Sequence, residues 1–495
     1  MIAWLEARFR ERDLGDVRRR AEDNYVAAEA AVRFIDAYAE SLDFKALGFE
    51  RCTAKGTGRP PYHPADLLKL YLYGYLNRIR SSRRLEAEAA RNLEVIWMLR
   101  TLRPDFKTIA DFRRDNRKAF KGVLREFNLL CRKLELFGAE LVAIDGSKFK
   151  ASNGRRRHFN AEQLREVIKH IDQRIDDYLR ELDTHDAEQG PPPPPSSSPP
   201  AGGRKPETMA EKIAGLRASR QEHAALLAEM QKSARTEVSL TDADARKMCD
   251  TQRGGFFIGY NVQVAVDAKH DLIVAEEVVQ SACDRGQLGA IAQAAKTELK
   301  VPSLEVVADK GYHSADELEA CEAADIITYV PAQGSTSGRS SRDGSRVFGK
   351  ERFTYDAVAD EYQCPGDKRL RLRGKCRSHG KTVLHYANAA ACRSCPLKAR
   401  CTGGSYRKIH RLRNEAVLER AAARMAGKSA ISARRREVVE HVFGTLKQWG
   451  HGDFLTRGLE RVKAEFSLSA LAYNLRRVLN LKPMSELLRA LPKAA

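Results

Sequence analysis

Between residues 139 and 330 the chain carries short apolar runs and helical patterns in an order that leaves few folds open. The run Leu141–Ile144 predicts a buried strand that ends at Asp145. The alternation at Val262–Val266, followed by the apolar stretch Asp271–Val279, predicts a β-hairpin. The full order is strand, strand, strand, helix, strand, helix, strand, which predicts an α/β fold. The elements after the hairpin are a helix at 287–299, a strand at 304–308, a helix at 315–323 and a strand at 326–330.

Two segments interrupt this order and predict insertions. Residues 155–250 hold two amphipathic helical patterns on either side of the sequence GPPPPPSSSPPAGG at 190–203. Because seven of the 18 prolines fall in that stretch, we expect a helical hairpin with a disordered tip over 187–206. Residues 333–412 begin as a Gly/Ser/Arg-rich linker and contain four bunched cysteines. The α/β core is thus expected at 139–154 and 251–332, with closing helices at 413–482.

The first 135 residues predict an all-helical N-terminal domain. Apolar residues recur at helical spacing through Asp66–Arg80, directly after His63–Pro64, which fits a helix start. Thr108 is predicted to cap a longer helix that runs to about residue 130. Short helices joined by basic turns suit a helix-turn-helix-like head that binds DNA. An ordinary helical bundle with a solvated basic face fits this block equally well.

The charge balance indicates the class of partner. Lys and Arg number 86 against 66 Asp and Glu, so the formal net charge is +20. A polyanion, most simply nucleic acid, is the expected partner, and an anionic membrane surface is the competing interpretation. The chain has no apolar run long enough to span a bilayer, and its first residues lack the apolar core of a signal peptide. We therefore expect a cytoplasmic protein.

Three acidic residues predict a metal site. Asp145 and Asp309 follow predicted strands, and a late helix over about 432–449 presents Arg436, Glu440 and Lys447 on one face. Oxygen ligands of this kind suit two Mg²⁺ or Mn²⁺ ions, which can activate water and stabilise a leaving oxygen at phosphorus. The cations expected to hold phosphates are Lys148, Arg436 and Lys447. Alternatively, the two aspartates cap loops and Glu440 lies on the surface.

Several longer motifs make the chain similar to a known family. The motifs are AIDGSKFKA (143–151), GYNVQVAVD (259–267), DRGQL (284–288), VADKGYHS (307–314), VVEHVFGTLKQW (438–449), YHPADLLKLYLYGYLNRIRSSRRLE (62–86) and FSLSALAYNLRRVLN (466–480). The order of acids resembles the ribonuclease H fold, with its mixed sheet, and the motifs resemble the DDE transposases of bacterial insertion sequences over about residues 50–482. A cysteine cluster suggests the IS-eleven-eighty-two-like group.

This resemblance implies an activity and assigns residues to it. Asp145, Asp309 and Glu440 would bind two Mg²⁺ ions, and the protein would act as a homodimer on double-stranded DNA. It would cleave the ends of the element and join the freed 3′-hydroxyls to target DNA. Related groups carry a Tyr, an Arg, the Glu and a Lys on the late helix, and the Tyr position is Ala433 here. Glu437 is an alternative third acid.

Two further acids could join the site. Asp267 ends the second predicted strand, and Asp284 opens the DRGQL helix. Asp284 is expected to cap that helix, with metal binding as the alternative.

A catalytically inactive DNA-binding regulator and a nuclease that cuts without joining are alternative functions for the chain.

The bunched cysteines predict a structural zinc site in a zinc-ribbon-like insertion. Cys364 precedes the pair Cys392 and Cys395, and Cys401 follows after five residues. Four thiolates of this spacing suit tetrahedral zinc. Cys376, His379 and His385 could substitute for one of these ligands, and simple reduced cysteines are the alternative. Five basic residues lie nearby, so the insertion either grips DNA or acts only as a staple. They are Arg369, Arg371, Arg373, Lys375 and Arg377.

Overall fold

The computed structural model describes most of the chain. The described residues are 23–52, 61–153, 158–188, 208–233, 237–249, 254–332, 348–378 and 380–492. The Pro-rich stretch 190–203, the linker that starts at residue 333 and His379 lie outside these ranges, so the disorder expected for the tip stays a prediction.

In the described part of the chain, six α-helices precede the first strand. The imidazole Nδ1 of His63 accepts a hydrogen bond from Ala65 N–H, and Pro64 occupies the first helical position, as the sequence predicts. The prediction of one long helix capped by Thr108 is wrong. Asp105 caps instead, by accepting from the N–H groups of Lys107 and Thr108, and a turn at 116–118 divides the segment. The helices are α1 (Ala31–Glu40), α2 (Pro64–Leu76), α3 (Ser82–Arg91), α4 (Leu93–Met98), α5 (Phe106–Asp115) and α6 (Ala119–Lys133).

A mixed sheet of six strands forms the centre of the protein. Its strands are β1 (Leu141–Lys150), β4 (Arg246–Cys249), β5 (Phe256–Asp267), β6 (Leu272–Val279), β7 (Leu304–Ala308) and β8 (Ile326–Tyr329). Their order is β4-β5-β1-β7-β8, and β6 pairs with β5 next to β4. The pairs β1–β5 and β5–β6 are antiparallel, whereas β1–β7 and β7–β8 are parallel. These findings confirm the predicted hairpin and the α/β class.

Strand β1 differs from its prediction, because it continues five residues beyond Asp145. Residues 146–150 stay extended because they pair with residues 259–263 of β5. Strand β7 covers the other edge of β1 only as far as Ile144, which pairs with Ala308. Asp145 is therefore an internal strand residue at the point where β1 loses one of its two neighbours.

The arms of the first insertion are two long antiparallel helices. Helix α7 (Ala161–Glu188) packs along α8 (Met209–Lys232) through two small apolar clusters. Thr208 and Glu211 form a reciprocal capping box at the start of α8. A two-stranded ribbon of β2 (His158–Asn160) and β3 (Glu237–Ser239) closes the base of the hairpin. The hairpin itself thus agrees with the sequence pattern.

The second insertion folds as a separate antiparallel sheet. Its strands are β9 (Thr354–Asp356), β10 (Glu361–Gln363), β11 (Arg369–Ser378), β12 (Lys381–Ala387) and β13 (Lys408–Leu412). Their order is β13-β12-β11-β10-β9, and the sheet's own small core contains Phe353, Tyr362, Leu370, Tyr386 and Ile409. Two short helices, α11 (Ala389–Arg393) and α12 (Lys398–Cys401), lie between β12 and β13.

The remaining helices cover the central sheet. Between strands lie α9 (Leu288–Leu299) and α10 (Ala315–Ala323), and after the second sheet come α13 (Glu415–Met425), α14 (Ser429–Gln448), α15 (Leu459–Leu481) and α16 (Met484–Ala490). Helix α15 is buried on all sides over residues 464–475. It packs against β6, α6 and α2 at once. No helix in the described ranges is long and apolar enough to cross a membrane.

One continuous core joins the N-terminal helices to the central sheet. Buried Phe127 of α6, Val264 of β5 and Leu471 of α15 belong to the same apolar cluster. Buried Asn474 strengthens the junction, since its side chain exchanges two 2.8 Å hydrogen bonds with the backbone of Ile273 and donates to Asn128. The N-terminal helices are therefore packed into the body of the protein.

Candidate functional site

Asp145 is the first acid of the candidate site and lies half-buried in β1. Its Oδ1 accepts a hydrogen bond from Gly146 N–H at 2.8 Å, and its Oδ2 accepts from Arg435 Nη1 at 2.5 Å. Burial raises the pKa of Asp145, and the charge of Arg435 opposes that shift. The nearby carboxylate of Asp309 adds to the rise. The positive charge of Arg435 therefore favours the ionised form of Asp145.

Asp309 lies beside Asp145 because of the strand register. Ile144 of β1 pairs with Ala308 of β7 in parallel, so the residue that follows each of them is an aspartate, Asp145 within β1 and Asp309 directly after β7. The Asp309 side chain accepts from Gly311 N–H and caps a short turn over Lys310–Tyr312. Two carboxylates from different strands thus meet at one edge of the parallel part of the sheet.

Helix α14 crosses β1 and carries the third predicted acid. Arg435 contacts Asp145 near the start of the helix, and Lys447 donates to Ser147 Oγ at 2.7 Å near its end. Between them, the ring of Phe443 packs 6.1 Å from that of Phe149. Glu440 lies on the same stretch of helix, between these contacts.

Glu440 and Arg436 are both exposed, and neither forms an ion pair with any described side chain. The sequence singled out Arg436, but its neighbour Arg435 is the arginine that reaches Asp145. Glu437, the alternative third acid, is exposed and pairs with Arg434 on its own helix. The face of α14 that carries Glu440 and Arg436 is therefore open to solvent.

A second group of polar side chains lies on the other face of β1, around Asp284. The Oδ1 of Asp284 accepts hydrogen bonds from Lys148 at 2.9 Å, Asn261 at 2.7 Å and Gln263 at 2.8 Å. Helix α9 begins after Gln287 without a side-chain cap, so Asp284 does not cap it as expected. Lys148, predicted to contact phosphate, is held by Asp284.

Gly146 is necessary for this arrangement. A Cβ atom at this position would overlap Gln263 Nε2 and press against Asp284 Oδ1 and Asn261 Oδ1. A side chain at residue 146 would therefore displace the amide and carboxylate groups that line this face of β1.

Tyr312 connects the acidic groups and was not singled out by the sequence. Its ring is fully buried, and its hydroxyl donates to Gln263 Oε1. Burial raises the pKa of Tyr312, and the charges of Asp284, Asp145 and Asp309 raise it further. The hydroxyl is therefore neutral and stays a donor. The motif DKGYHS contains this residue, and its position three after Asp309 is the signal that could have pointed to it.

Asp267 does not belong to this cluster. Its carboxylate accepts from the backbone N–H groups of Gly138, Ala139 and Lys269 at 2.8–2.9 Å. These bonds tie the end of β5 to the segment that leads into β1. The role of Asp267 in the structure is to hold this connection.

The four predicted zinc ligands line one small cavity of about 20 Å³ in the second sheet. Burial raises the pKa of Cys401, and the neighbouring thiols of Cys392, Cys364 and Cys395 act in the same direction. Cys376 lies elsewhere on that sheet, where its Sγ is 2.9 Å from His385 Nε2. The structure thus brings together the four cysteines that the sequence grouped and separates them from Cys376 and His385.

The donor types at both places suit metal ions, but the side chains do not form closed ligand sets. Within the part of the chain that the structure describes, no group of three or more His, Cys, Asp or Glu side chains is arranged to hold a metal ion. Carboxylate oxygens are the donors that Mg²⁺ prefers, and four thiols are a common zinc set. The match of these side chains to Mg²⁺ and zinc therefore rests on the type of their donor atoms and on their proximity.

Comparisons with known proteins find two family models that match this chain. One, described as "Transposase DDE domain", matches residues 363–479, from Cys364 through α14 and most of α15. The other, described as "Transposase domain (DUF772)", matches residues 21–115, from the N-terminal helices through α5. No curated protein matches the chain.

Proposed function

We propose, from two family matches that indicate a DDE-type insertion-sequence transposase, that this chain cleaves the ends of a mobile element and joins them to target DNA. Asp145, Asp309 and Glu440 would carry the chemistry. The observation behind this assignment is the register of Ile144 with Ala308, which sets the two aspartates side by side beneath α14.

The topology of the sheet supports a ribonuclease H-like catalytic domain. Reading β6-β5-β1-β7-β8 as strands 3-2-1-4-5 gives three antiparallel strands followed by two parallel ones. The first acid lies on strand 1, the second directly follows strand 4, and the third is carried by a late helix. This is the order that the sequence motifs implied for the family.

The proposed reaction is hydrolysis followed by transfer. A water oxygen attacks the phosphorus at the end of the element, and the 3′ oxygen leaves as a hydroxyl. That hydroxyl then attacks a phosphorus in target DNA and displaces a 3′ oxygen there. When bound, two Mg²⁺ or Mn²⁺ ions held by the three acids would polarise the attacking oxygen and stabilise the leaving one. No covalent intermediate between protein and DNA is required.

The chain's own side chains would prepare this site. Arg435 opposes the rise in the pKa of Asp145 and so favours its ionised form. Lys447 and exposed Arg436 supply positive charge beside the acids, where phosphates would lie. Lys148 acts indirectly, because its ammonium group already binds Asp284. Tyr312 and Gln263 fix the inner wall of the site.

The remaining parts of the proposal concern zinc and partners. Cys364, Cys392, Cys395 and Cys401 would hold a structural Zn²⁺ that staples the second sheet. Double-stranded DNA is the proposed substrate, as end and as target. A homodimer would hold two ends together. Such a protein would act at the bacterial nucleoid, in the cytoplasm.

Cleavage of supercoiled plasmid carrying the element's own flanking ends tests the proposal. Wild type should cut at the ends with Mg²⁺ or Mn²⁺, and Asp309→Asn should bind the same DNA without cutting it. Asp325→Asn is a matched control, since this aspartate is 82% exposed in the turn between α10 and β8. Its cleavage should equal that of wild type.

A second assay separates the alternative functions. With a pre-cut end, a transposase forms joined product, whereas a simple nuclease does not. If wild type binds the ends but neither cuts nor joins with either metal, the protein is a DNA-binding regulator and the assignment of the three acids fails.

A further inference from the structure

A cavity of about 380 Å³ lies between the N-terminal helices and the C-terminal part of the chain. Helix α5 contributes one wall, and the segment from Leu455 through the first turn of α15 contributes the other. Ser152, just past the end of β1, also lines it. The cavity is therefore formed by the two segments that match transposase families, together with the strand that carries Asp145.

Positive charge dominates the lining of this cavity. Four arginines line it, whereas Asp111 is the one acidic residue among the lining residues. The four are Arg113, Arg114, Arg457 and Arg461. Asp111 is already paired with Arg114 at 2.6 Å. A cavity with this excess of guanidinium groups suits an anion that accepts several hydrogen bonds.

Arg457 and Arg461 are the cations available to such an anion. The Nε of Arg457 donates to the backbone oxygen of Ser152 at 3.1 Å, and both residues line the cavity. Arg461 is exposed on the first turn of α15. Neither forms an ion pair with any acidic side chain in the described ranges. Their charge is therefore not neutralised within the described protein.

Buried contacts fix the walls of the cavity. Glu465, fully buried on α15, accepts from the N–H groups of Leu455 and Thr456 and from the hydroxyl of Thr456 at 2.6–3.2 Å. Arg80 pairs with the same carboxylate at 3.2 Å. On the other wall, the guanidinium of Arg113 stacks 5.8 Å from the ring centre of Tyr71. The arginines thus project from a framework that needs little ordering when a ligand binds.

The cavity lies along β1 from the acidic site. Ser152 is seven residues beyond Asp145, and seven extended residues span at most about 25 Å. Lys150 pairs with Asp453, so the end of β1 and the loop before α15 are joined at this point. Successive base pairs of DNA rise about 3.4 Å, so this reach corresponds to about seven base pairs.

We propose that this cavity binds one backbone phosphate of the DNA that is cleaved at Asp145, within about seven base pairs of the cleaved bond. This inference rests on the proposed function, because it takes the substrate to be a DNA end. A phosphate at this place would set the register of the duplex and carry no base specificity, since guanidinium groups that contact phosphate read position and not sequence.

Binding measurements on neutralised DNA test the inference. A set of duplexes of one mapped end sequence, each with a single methylphosphonate in place of one phosphate, is titrated against the full-length protein by fluorescence anisotropy. Wild type should lose several-fold affinity at one or two positions within about seven base pairs of the cleavage site. For the double variant Arg457→Gln/Arg461→Gln, a methylphosphonate at that position should no longer reduce the affinity. Its salt dependence, the slope of log K against log salt, should fall by about 1.

Arg489→Gln is the control, because Arg489 lies on α16 and its guanidinium Nε bonds only to the backbone of its own helix at Ser485. It should reproduce the wild-type methylphosphonate profile. Thermal unfolding of each variant confirms that the protein is folded. If the double variant keeps the same sensitive position and salt slope as wild type, the cavity is not a phosphate site, although the proposed function stands. If wild type does not bind the end at all, the proposed function is wrong, and the inference about the cavity is wrong with it.

Discussion

Arg435 donates a 2.5 Å hydrogen bond from Nη1 to Oδ2 of Asp145, and the two residues are 290 positions apart in the chain. Helix α14 brings the guanidinium over the middle of β1, where both side chains are largely shielded from solvent, at 13% and 22% exposure. In such a place a single ion pair has a large effect on ionisation, because water screens it little. This pair therefore favours the ionised form of Asp145, the first of the three acids proposed to be catalytic.

Replacing Arg435 by Gln should move the pH dependence of cleavage. Burial already raises the pKa of Asp145, and Arg435 is the strongest influence that lowers it. Without the guanidinium the pKa rises further, so the acidic limb of the rate profile shifts to higher pH. We expect a shift of about one pH unit, since a close opposite charge lowers a carboxyl pKa by about 1–3 units.

Rates of DNA-end cleavage between pH 5 and 9 measure this shift. Arg434→Gln is the control, because Arg434 pairs with Glu437 and bonds to Ala268 away from Asp145. The Arg435→Gln protein could instead cleave more slowly at every pH while the position of its acidic limb stays unchanged. That result would show that the arginine acts on DNA and not on Asp145.

Changing Gly146 to Ala should destabilise the protein by about 1–3 kcal/mol, the usual cost of forcing an extra carbon into a packed place. The added Cβ would collide with Gln263 Nε2 and Asp284 Oδ1. Gly215→Ala is the matched control. Gly215 lies within α8 with no atom within 4 Å of the new Cβ, so this change should stabilise by about 0.5–1 kcal/mol. Urea unfolding measures the change in the free energy of unfolding for each variant. Equal changes in the two variants would contradict the crowding at β1.

The stability of the protein should fall with acid because of His451. This imidazole is buried between Tyr75 and Trp449, and burial, with help from the charges of Arg80 and Arg78, lowers its pKa to about 3. The folded state keeps the ring neutral, whereas the unfolded chain binds a proton below about pH 6.5. Stability therefore decreases as pH falls from 6.5 towards 3, by at most about 1.4 kcal/mol per unit.

The variant His451→Leu isolates this contribution. Its free energy of unfolding should depend less steeply on pH in that window than the wild-type value does, while remaining measurable at pH 7. Identical slopes for the two proteins would mean that His451 is protonated in the folded state or has access to water.

Removing a cysteine of the cluster should release zinc and loosen the second sheet. Protein purified without chelator should contain about one zinc ion per chain, and Cys392→Ser should lose most of it, because three thiolates hold the ion less tightly than four. Cys376→Ser is the control, since Cys376 lies beside His385 and outside the cavity. Metal analysis and proteolysis at β9–β13 give the readouts. Zinc lost from the control and kept in Cys392→Ser would require a different ligand set.

The strand and helix order of the central domain was predictable because its signals are local. Apolar runs such as Leu141–Ile144 and the alternation at Val262–Val266 need no distant partner to be recognised. The true end of β1 was not predictable in this way. It depends on pairing with residues 259–263, about a hundred positions later, and on the loss of β7 after Ala308.

The site was predictable at the level of residue types and less so at the level of contacts. Helical spacing places Arg436, Glu440 and Lys447 on one face, but the tilt of α14 over β1 decides that Arg435 reaches Asp145. That tilt follows from packing, such as that of Phe443 on Phe149. Asp284 illustrates the same limit, because its partners Lys148, Asn261 and Gln263 come from two strands that no local pattern connects to it.

The shared core of the N-terminal helices and the sheet has a consequence for how such proteins can diversify. Asn474 of α15 bonds to β6 and to Asn128 of α6, and Arg80 bonds to Glu465 across the same junction. A different N-terminal segment would have to match these buried partners before it could pack on the central sheet. Exchange of whole segments is therefore costly here, and sequence change is expected to accumulate by single substitutions on the surface.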